Sequence, residues 1–516
     1  MKKSLKKVTM LMAVGMVMSS FGTIPAVLAQ EEQEYKIATV RWSDWGMDFT
    51  NGFVTDSQKD FGVKVNWDVY VNADWADQKA VLMASGDLPD AFLGSNALGD
   101  SEIMQNAALF LPLEDLIEEH MPNLTAAMKA EPKLRAIATA PDGHIYGLPT
   151  KLPMRPTVGN QLFINKTWLE NLGLEMPQTF DEFMEVLRAF KAEDANGNGD
   201  KNDEIPFGGG NFDPVYSFIL PFGVRHGYEY DMTLVDGKPQ YTRTMDQYKQ
   251  GVAKMHEAFK EGLIDPEIFT QDTSMAEAKR QDTEAARVGV TSGWTADALF
   301  GQNSDQYVAL PALEGPDGKR YVESDPDHLN YNRNEFLIMK NTKNPEKLLQ
   351  WLDTWYTEDA SIQNFYGTFG VATEKKEDGT YEVLPPVGGE TADISAWVNS
   401  LRDFGPKYVG DDFNSKVTID KTQGDGLKLE LDKELAEHAL PAFPRVSYTA
   451  DEIGRLSTMY IDLSSYAAQT VTKWVTEGGI EDEWDGYVQQ LNQMGFEDFQ
   501  MIMNDAYNRY QDALGE

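Results

Sequence analysis

The sequence predicts an α/β chain folded as two lobes, and three observations carry that prediction. Strand-like and helix-like stretches alternate in the order β-α-β-α-β over roughly the first hundred residues, which suggests a mostly parallel sheet with helices on its faces. A second α/β section opens near QLFINKTWLENLG. The chain has 516 residues, 41% of them hydrophobic, enough for two lobes or domains.

The elements follow in order. YKIATVRW alternates as a first strand and ends in the aromatic cluster Arg41-Trp42-Ser43-Asp44-Trp45-Gly46. NGFVTDSQKDFG reads as a helix and VKVNWDVYV as a second strand. WADQKAVLMAS forms a helix that stops at Gly86, and DLPDAFLGS gives a strand entered through Pro89. In the second section, Thr179 with Glu182 three residues later is a capping-box pattern for the helix FDEFMEVLRAFKAE. Its apolar residues Phe183, Val186, Leu187 and Phe190 share one face. ARVGVTSGW and YVALP read as short strands. NEFLIMK leads into NPEKLLQWLDTWYTEDASIQNFYG, which reads as one long helical stretch. The last ~65 residues are helical by their 3.6-residue apolar period. Trp168, Trp351, Trp355 and Trp484 sit at helical spacing among apolar neighbours and are expected in the core.

Composition excludes several function classes. MKKSLKK, the apolar run VTMLMAVGMVMSSFGTIPAV and the small residues before Gln30 form an export signal, residues 1–29, cleaved after Ala29. The run is too interrupted for a stable span, so the expected location is extracytoplasmic, in a periplasm or outside the cell. The chain has no cysteine, which removes disulfides, thiolate metal sites, cysteine nucleophiles and a lipid-modified cysteine anchor. The net charge is -38, and the mature chain is more negative by Lys2, Lys3, Lys6 and Lys7. Long-range repulsion disfavours nucleic acid and anionic membranes as partners. No G-x-S-x-G elbow, H-E-x-x-H or Walker loop is present, and the six histidines are scattered. Two carboxylates at glycosidase spacing are not excluded among 83 acidic residues.

Residues 192–206, AEDANGNGDKNDEIP, place oxygen-bearing side chains at mostly alternate positions with glycines between. That is how a tight loop wraps a hard cation such as calcium. The loop leaves the C-terminal end of the capped amphipathic helix.

Four segments, SGDLPDAF (85–92), FINKTWLENLGLEMPQTFDEF (163–183), KNPEKLLQWLDTWY (343–356) and WDGYVQQLNQMGFEDFQMIMNDAYNRY (484–510), occur in register. Together they resemble the extracellular solute-binding proteins of ABC transporters, carbohydrate-binding family 1. The resemblance implies a periplasmic-binding-protein-like (type II) fold with a ligand cleft between lobes. It implies a first lobe at 30–155 and 329–390, and a second at 156–328 and 391–516 with the C-terminal helices. The implied function is non-catalytic: capture of an oligosaccharide and delivery to ABC permease subunits, by a monomer. The alternatives are a secreted polysaccharide-active enzyme (glycosidase or lyase) and a surface sugar-binding protein outside transport.

The loop resembles the D-x-[DN]-x-N-G-x-x-D-E-I-P pattern of a longer subgroup that includes alginate-oligosaccharide binders. The resemblance implies a structural Ca2+ held by Asp194, Asn196, Asn198, Asp200, Asp203 and Glu204. One extra residue leaves Asn202 and Asp203 as alternatives; Asp203 is preferred, with Asp200 giving its backbone carbonyl. As an EF-hand the loop departs at position twelve, which is Ile205 instead of Glu. For the ligand, sugars offer C–H faces to aromatic rings, so loop aromatics after strands are the candidates. These are Trp42 and Trp45, with the polar Asp44 between them; then Trp294, where maltose-binding relatives place a stacking Trp; then Phe212 and Tyr216. Ser95 and Asn96 are the polar candidates of the first lobe. Arg155 suits either an acidic ligand or a hinge salt bridge.

Overall fold

The computed structural model describes residues 32–41, 52–210, 213–386 and 392–515. Two four-stranded sheets organise it. In the first, the strands run Phe336–Ile338, Ala91–Leu93, Gln33–Arg41, Val63–Val71 across the sheet. Gln33–Arg41 pairs in parallel with both of its neighbours, in register from Gln33↔Val63 to Arg41↔Val71. These are the parallel pairings the alternation predicts. Phe336–Ile338 returns antiparallel on Ala91–Leu93. The helix Asn72–Ser85 ends where Gly86 takes a left-handed conformation, φ 72°, which costs glycine little because it has no Cβ.

The second sheet is mixed. Its order is Tyr307–Ala309, Gln161–Asn165, Val288–Gly293, Ile205–Phe207. The two central strands are antiparallel, with Gln161 opposite Gly293. The start of one and the end of the other therefore meet at the same end of the sheet. The helix Phe180–Ala192 flanks this sheet, capped as predicted: Thr179 Oγ1 accepts from Glu182 N–H (3.2 Å), and Glu182 accepts from Thr179 N–H (3.2 Å). Phe183, Val186, Leu187 and Phe190 are buried. Phe190 meets Trp168 edge to face at 5.1 Å.

The long helical stretch after Asn344 is broken in two. Pro345–Asp353 passes through a tight turn, and Glu358–Tyr366 starts afresh. Thr357 is extended and caps the second helix by accepting from Ala360 N–H at 3.3 Å. The break turns both Trp355 and Tyr356 inward, and Tyr356 donates its hydroxyl to Pro149 O at 2.6 Å. Trp168, Trp351, Trp355 and Trp484 are all in the core, as expected. The C-terminal region is helical as predicted, over Ala450–Glu477, Ile480–Gln493 and Phe496–Leu514, with left-handed glycines at the joints.

The chain passes repeatedly between the sheets, and its passages bond to one another. Thr150–Lys151 pairs with Tyr331–Asn332. Lys151 N–H donates to Lys407 O (3.0 Å), and Val322 N–H to His438 O (2.9 Å). Buried charge fastens the returning passage. Arg225, only 1% exposed, donates to Asp325 Oδ2 at 3.1 Å and to Ser324 O. Asp325 also accepts from His328 N–H, and its Oδ1 lies 2.7 Å from His328 Nδ1 while Glu229 Oε1 lies 3.2 Å from Nε2.

An imidazole donates from both nitrogens only when protonated. Burial pulls His328 down, but its bonds to Asp325 and Glu229 outweigh burial and the repulsion of Arg445, and its pKa rises above 6.5. A raised folded pKa adds stability that is fully present below the unfolded value and is lost as pH rises through the folded one. The melting-temperature advantage of wild type over H328Q is therefore greatest below the ordinary histidine value of about 6.5 and shrinks as pH rises through the raised folded value. A pH-independent difference would remove the charged-histidine account.

Candidate ligand cleft and candidate cation loop

A cavity of about 430 Å³ opens where Gln161 and Gly293 meet at the end of the second sheet. Trp294 follows the buried strand Val288–Gly293 directly and lines this cavity, half-buried. Tyr216, from the helix Asp213–Ile219, lines it too, stacked on His226 at 3.9 Å and 12°. Sequence reasoning missed the rest of the wall. Tyr228 is 65% exposed and stacks on His328 at 5.0 Å and 19°. Glu323 and Asp325 complete the polar side. The run RHGYEYD (225–231) carried a signal, two aromatics and a histidine around a glycine. Its partner Glu323 lies far along the chain with no local cue.

Two cations flank Trp294. Lys428 Nζ sits 5.1 Å and the Arg155 guanidinium 5.9 Å from the ring centre. Lys428 is fully buried; it donates to Gly159 O and to Gln161 Oε1 at 3.1 Å. Burial pushes its pKa down to about 8, with only Asp432 opposing. Arg155 forms an ion pair with Asp403 and lies 5.3 Å from the Phe365 ring.

Ser95 and Asn96 lie outside this cavity, at the end of the strand Ala91–Leu93. Ser95 N–H donates to Glu335 Oε2 at 3.2 Å. Asn96 Nδ2 donates to Val40 O at 3.1 Å, while its Oδ1 is buried with no partner. Trp42, Asp44, Trp45 and Phe212 fall outside the described residues.

The acidic loop is wound by its own side chains. Gly197 (φ 73°) and Gly199 (φ 92°) make the left-handed turns. Asp194 Oδ2 accepts from Gly199 N–H (2.9 Å), Asn196 Oδ1 from Asn198 N–H (2.9 Å) and Asn198 Oδ1 from Asp200 N–H (2.8 Å). The Asp203 carboxylate accepts from the Asn196 and Asn198 amides at 3.2 and 2.8 Å. Asn202 turns instead to Asp200 Oδ1, at 3.0 Å. Two buried carboxylate oxygens, Asp194 Oδ1 and Glu204 Oε2, have no partner. Among the described residues no group of three or more His, Cys, Asp and Glu is gathered as for a metal. The loop's donor set is instead a mixture of carboxylates and amides.

Compared with known proteins, the chain matches the bacterial extracellular solute-binding protein family over residues 47–362. It is 33% identical to FusA of Streptococcus pneumoniae serotype 4, a fructooligosaccharide ABC transporter substrate-binding protein, across 88% of this chain and 86% of FusA. The structure of FusA in complex with kestose superposes with a TM-score of 0.78 at 30% identity, over 93% of this chain and 100% of that one. An EF-hand mutant of FusA with fructo-nystose gives the same TM-score of 0.78. An HMO-binding, ABC-transporter-associated solute-binding protein from Bifidobacterium longum infantis gives 0.80 at 27% identity, over 93% of this chain and 99% of that one. Alginate-binding AlgQ2 without calcium ion shares the fold, with a TM-score of 0.70 at 23% identity, over 93% of this chain and 98% of that one. FusA and the Bifidobacterium protein are binding proteins of ABC transporters, not enzymes, and this chain belongs to the bacterial extracellular solute-binding protein family.

Proposed function

We propose that this chain is the solute-binding component of an ABC importer, holding an oligosaccharide between its lobes and handing it to the permease as a monomer. The observation that carries this reading is the set of aromatic faces, Trp294, Tyr216 and Tyr228, around one cavity with Gln161, Ser292 and Glu323. Rings cover the C–H faces of a sugar while the polar groups take its hydroxyls. Ligand touching both lobes stabilises the closed form, because only that form makes both sets of contacts. Trp42, Asp44, Trp45, Ser95 and Asn96 are our candidates for the facing lobe, and Phe212 for the Tyr216 side. Arg155 we assign to the hinge through Asp403.

The lobes are placed at 30–155 with 329–390, and at 156–328 with the C-terminal helices. We put residues 392–418 with the first lobe. The helix Ala392–Asn399 packs on Glu358–Tyr366, and Val417–Thr418 pairs with Tyr381–Val383.

An aromatic platform that buries ~150–250 Å² is worth at most several kcal/mol, less association costs. Trp294→Ala is expected to weaken oligosaccharide binding by roughly 1–3 kcal/mol, about five- to a hundred-fold, with the fold intact. A glycan-panel thermal-shift screen followed by calorimetry measures this. A mutant that binds normally but loses ~3–5 kcal/mol of stability would return Trp294 to the core. Cleavage of the glycan would favour the enzyme alternative.

For the loop we propose a structural Ca2+, supported by the two orphaned oxygens on Asp194 and Glu204 and by the Asn196, Asn198 and Asp203 side chains wound around the same turn. Asp203 is preferred over Asn202, whose amide is taken by Asp200. A cation there supplies the charge these acceptors lack, and Asp200 contributes its backbone carbonyl. A metal bound only by folded protein stabilises by about 2.7 kcal/mol at a hundredfold excess over Kd. Chelator should therefore lower the melting temperature of wild type, and D194A/D203A should lose that response while still binding ligand. An unchanged wild-type melting temperature under chelator would end the assignment. Export cleavage after Ala29 leaves Gln30 first, which intact-mass analysis of exported protein checks; retained Met1 would refute it.

A further inference from the structure

Resting on the oligosaccharide reading, we propose that the cleft selects uncharged oligosaccharides and rejects uronate-bearing ones, and that Glu323 sets this selectivity. The fold itself leaves the matter open, since it serves both a fructooligosaccharide binder and an alginate binder. The wall of this cleft does not. Among the described residues lining the cavity there is no lysine or arginine, but there are two carboxylates, Glu323 and Asp325.

The guanidinium beneath them is already committed. Arg225 is 1% exposed, donates to Asp325 at 3.1 Å and to Ser324 O, and lies 3.6 Å from Glu323 Oε1. Asp325 is served by both Arg225 and the charged His328, whereas Glu323, pushed up by burial against the pull of Arg225, keeps 26% of its side chain open. Behind Tyr228, Glu229 lies 3.2 Å from His328 and takes up the other nitrogen of that imidazolium.

The two cations beside Trp294 are likewise taken up. Lys428 is fully buried, with Gly159 O and Gln161 Oε1 as acceptors. Arg155 is paired with Asp403. A uronate carboxylate entering here would shed water without gaining a counter-charge, and desolvating an unpaired charge is costly. A neutral sugar meets the same wall as an acceptor: its hydroxyls donate to Glu323 in charge-assisted hydrogen bonds.

The test is calorimetry on the full mature protein at about pH 7.5, with length-matched neutral oligosaccharides (fructo-, galacto- and xylo-) and oligouronates (galacturonate and alginate trimers). We expect a neutral probe to bind and the oligouronates to bind at least about a hundredfold more weakly. The gap should narrow as salt is raised to about 0.5 M, because screening weakens the repulsion from the partly open carboxylate. E323Q, which keeps a hydrogen-bonding head without the charge, should lower the ratio of neutral to uronate affinity about tenfold or more. The wild-type comparison stands even if E323Q folds poorly, which its melting curve reports. An oligouronate that binds wild type as tightly as the neutral probes overturns the inference and leaves the receptor reading intact. A ratio unmoved in well-folded E323Q removes Glu323 as the determinant. Binding of neither class overturns the receptor reading, and the inference with it.

Discussion

Glu335 has no access to water, and the end of the first sheet is assembled around it. Its Oε2 accepts from Ser95 N–H at 3.2 Å and from Gly405 N–H at 2.6 Å. Those residues belong to the loop after Ala91–Leu93 and to the passage that carries Lys407. Lys407, also fully buried, donates to Phe404 O and Gly405 O at 2.7 and 2.8 Å. Burial disfavours both charges, raising the Glu335 pKa and lowering that of Lys407, and each offsets the other's cost. A buried carboxylate with a missing partner is strongly destabilising. The loop bearing Ser95 and Asn96 is therefore fixed to the Lys407 passage, which in turn bonds to Thr150 and Lys151. Ser95 is thereby held to the same carboxylate as Gly405.

Local rules made much of the fold legible. The strand Val63–Val71 and the capped helix after Thr179 follow from alternation and from a two-residue capping signal, both of which act within a few residues. Trp294 was legible for a related reason: a buried strand running into a turn delivers its next side chain to the sheet's end. The split of the helix after Asn344 was not legible, because nothing in the apolar period disfavours continuity. The turn exists so that Trp355 and Tyr356 can both be buried, which is a tertiary demand. The Tyr228–His328 and Arg225–Glu323 pairs join residues about a hundred positions apart. No local pattern encodes such contacts, so half of the cavity wall was invisible to the sequence. The loop's choice between Asn202 and Asp203 was open for want of a backbone; the turn itself swings Asn202 toward Asp200.

The distribution of charge explains how a chain with a net charge of -38 can hold a ligand by contact alone. Long-range field is screened within about 8–10 Å at physiological salt, so overall charge keeps the protein soluble and says little about the cleft. Inside the cavity the dielectric falls and individual groups dominate. There the cations are withdrawn beneath rings or paired with carboxylates, and the exposed surface is aromatic and hydrogen-bonding. Lys428 illustrates the arrangement. Its ammonium backs the Trp294 ring and fixes the start of the strand Gln161–Asn165 through Gly159 and Gln161. The Trp294 ring is thereby backed by a fixed group, and preorganisation of this kind would lower the entropy cost of the ligand contact proposed for it.

The acidic loop and the cleft share one sheet, which gives a structural cation a route to the binding platform. The loop runs straight into the strand Ile205–Phe207, and Ile205 N–H donates to Arg287 O at 2.8 Å. Ile205–Phe207 then pairs in parallel with Val288–Gly293, the strand that ends at Trp294. A short strand of this kind has few hydrogen bonds of its own to hold its position. Its start is set by how tightly the loop is wound, and the loop is wound by side chains on Asp194, Asn196, Asn198 and Asp203, which converge on one another. Neutralising the unpartnered oxygens of Asp194 and Glu204 would stiffen that start without touching the ligand. The loop is therefore placed to act on the stability of the sheet's edge, at the opposite end of the strand pair from Trp294.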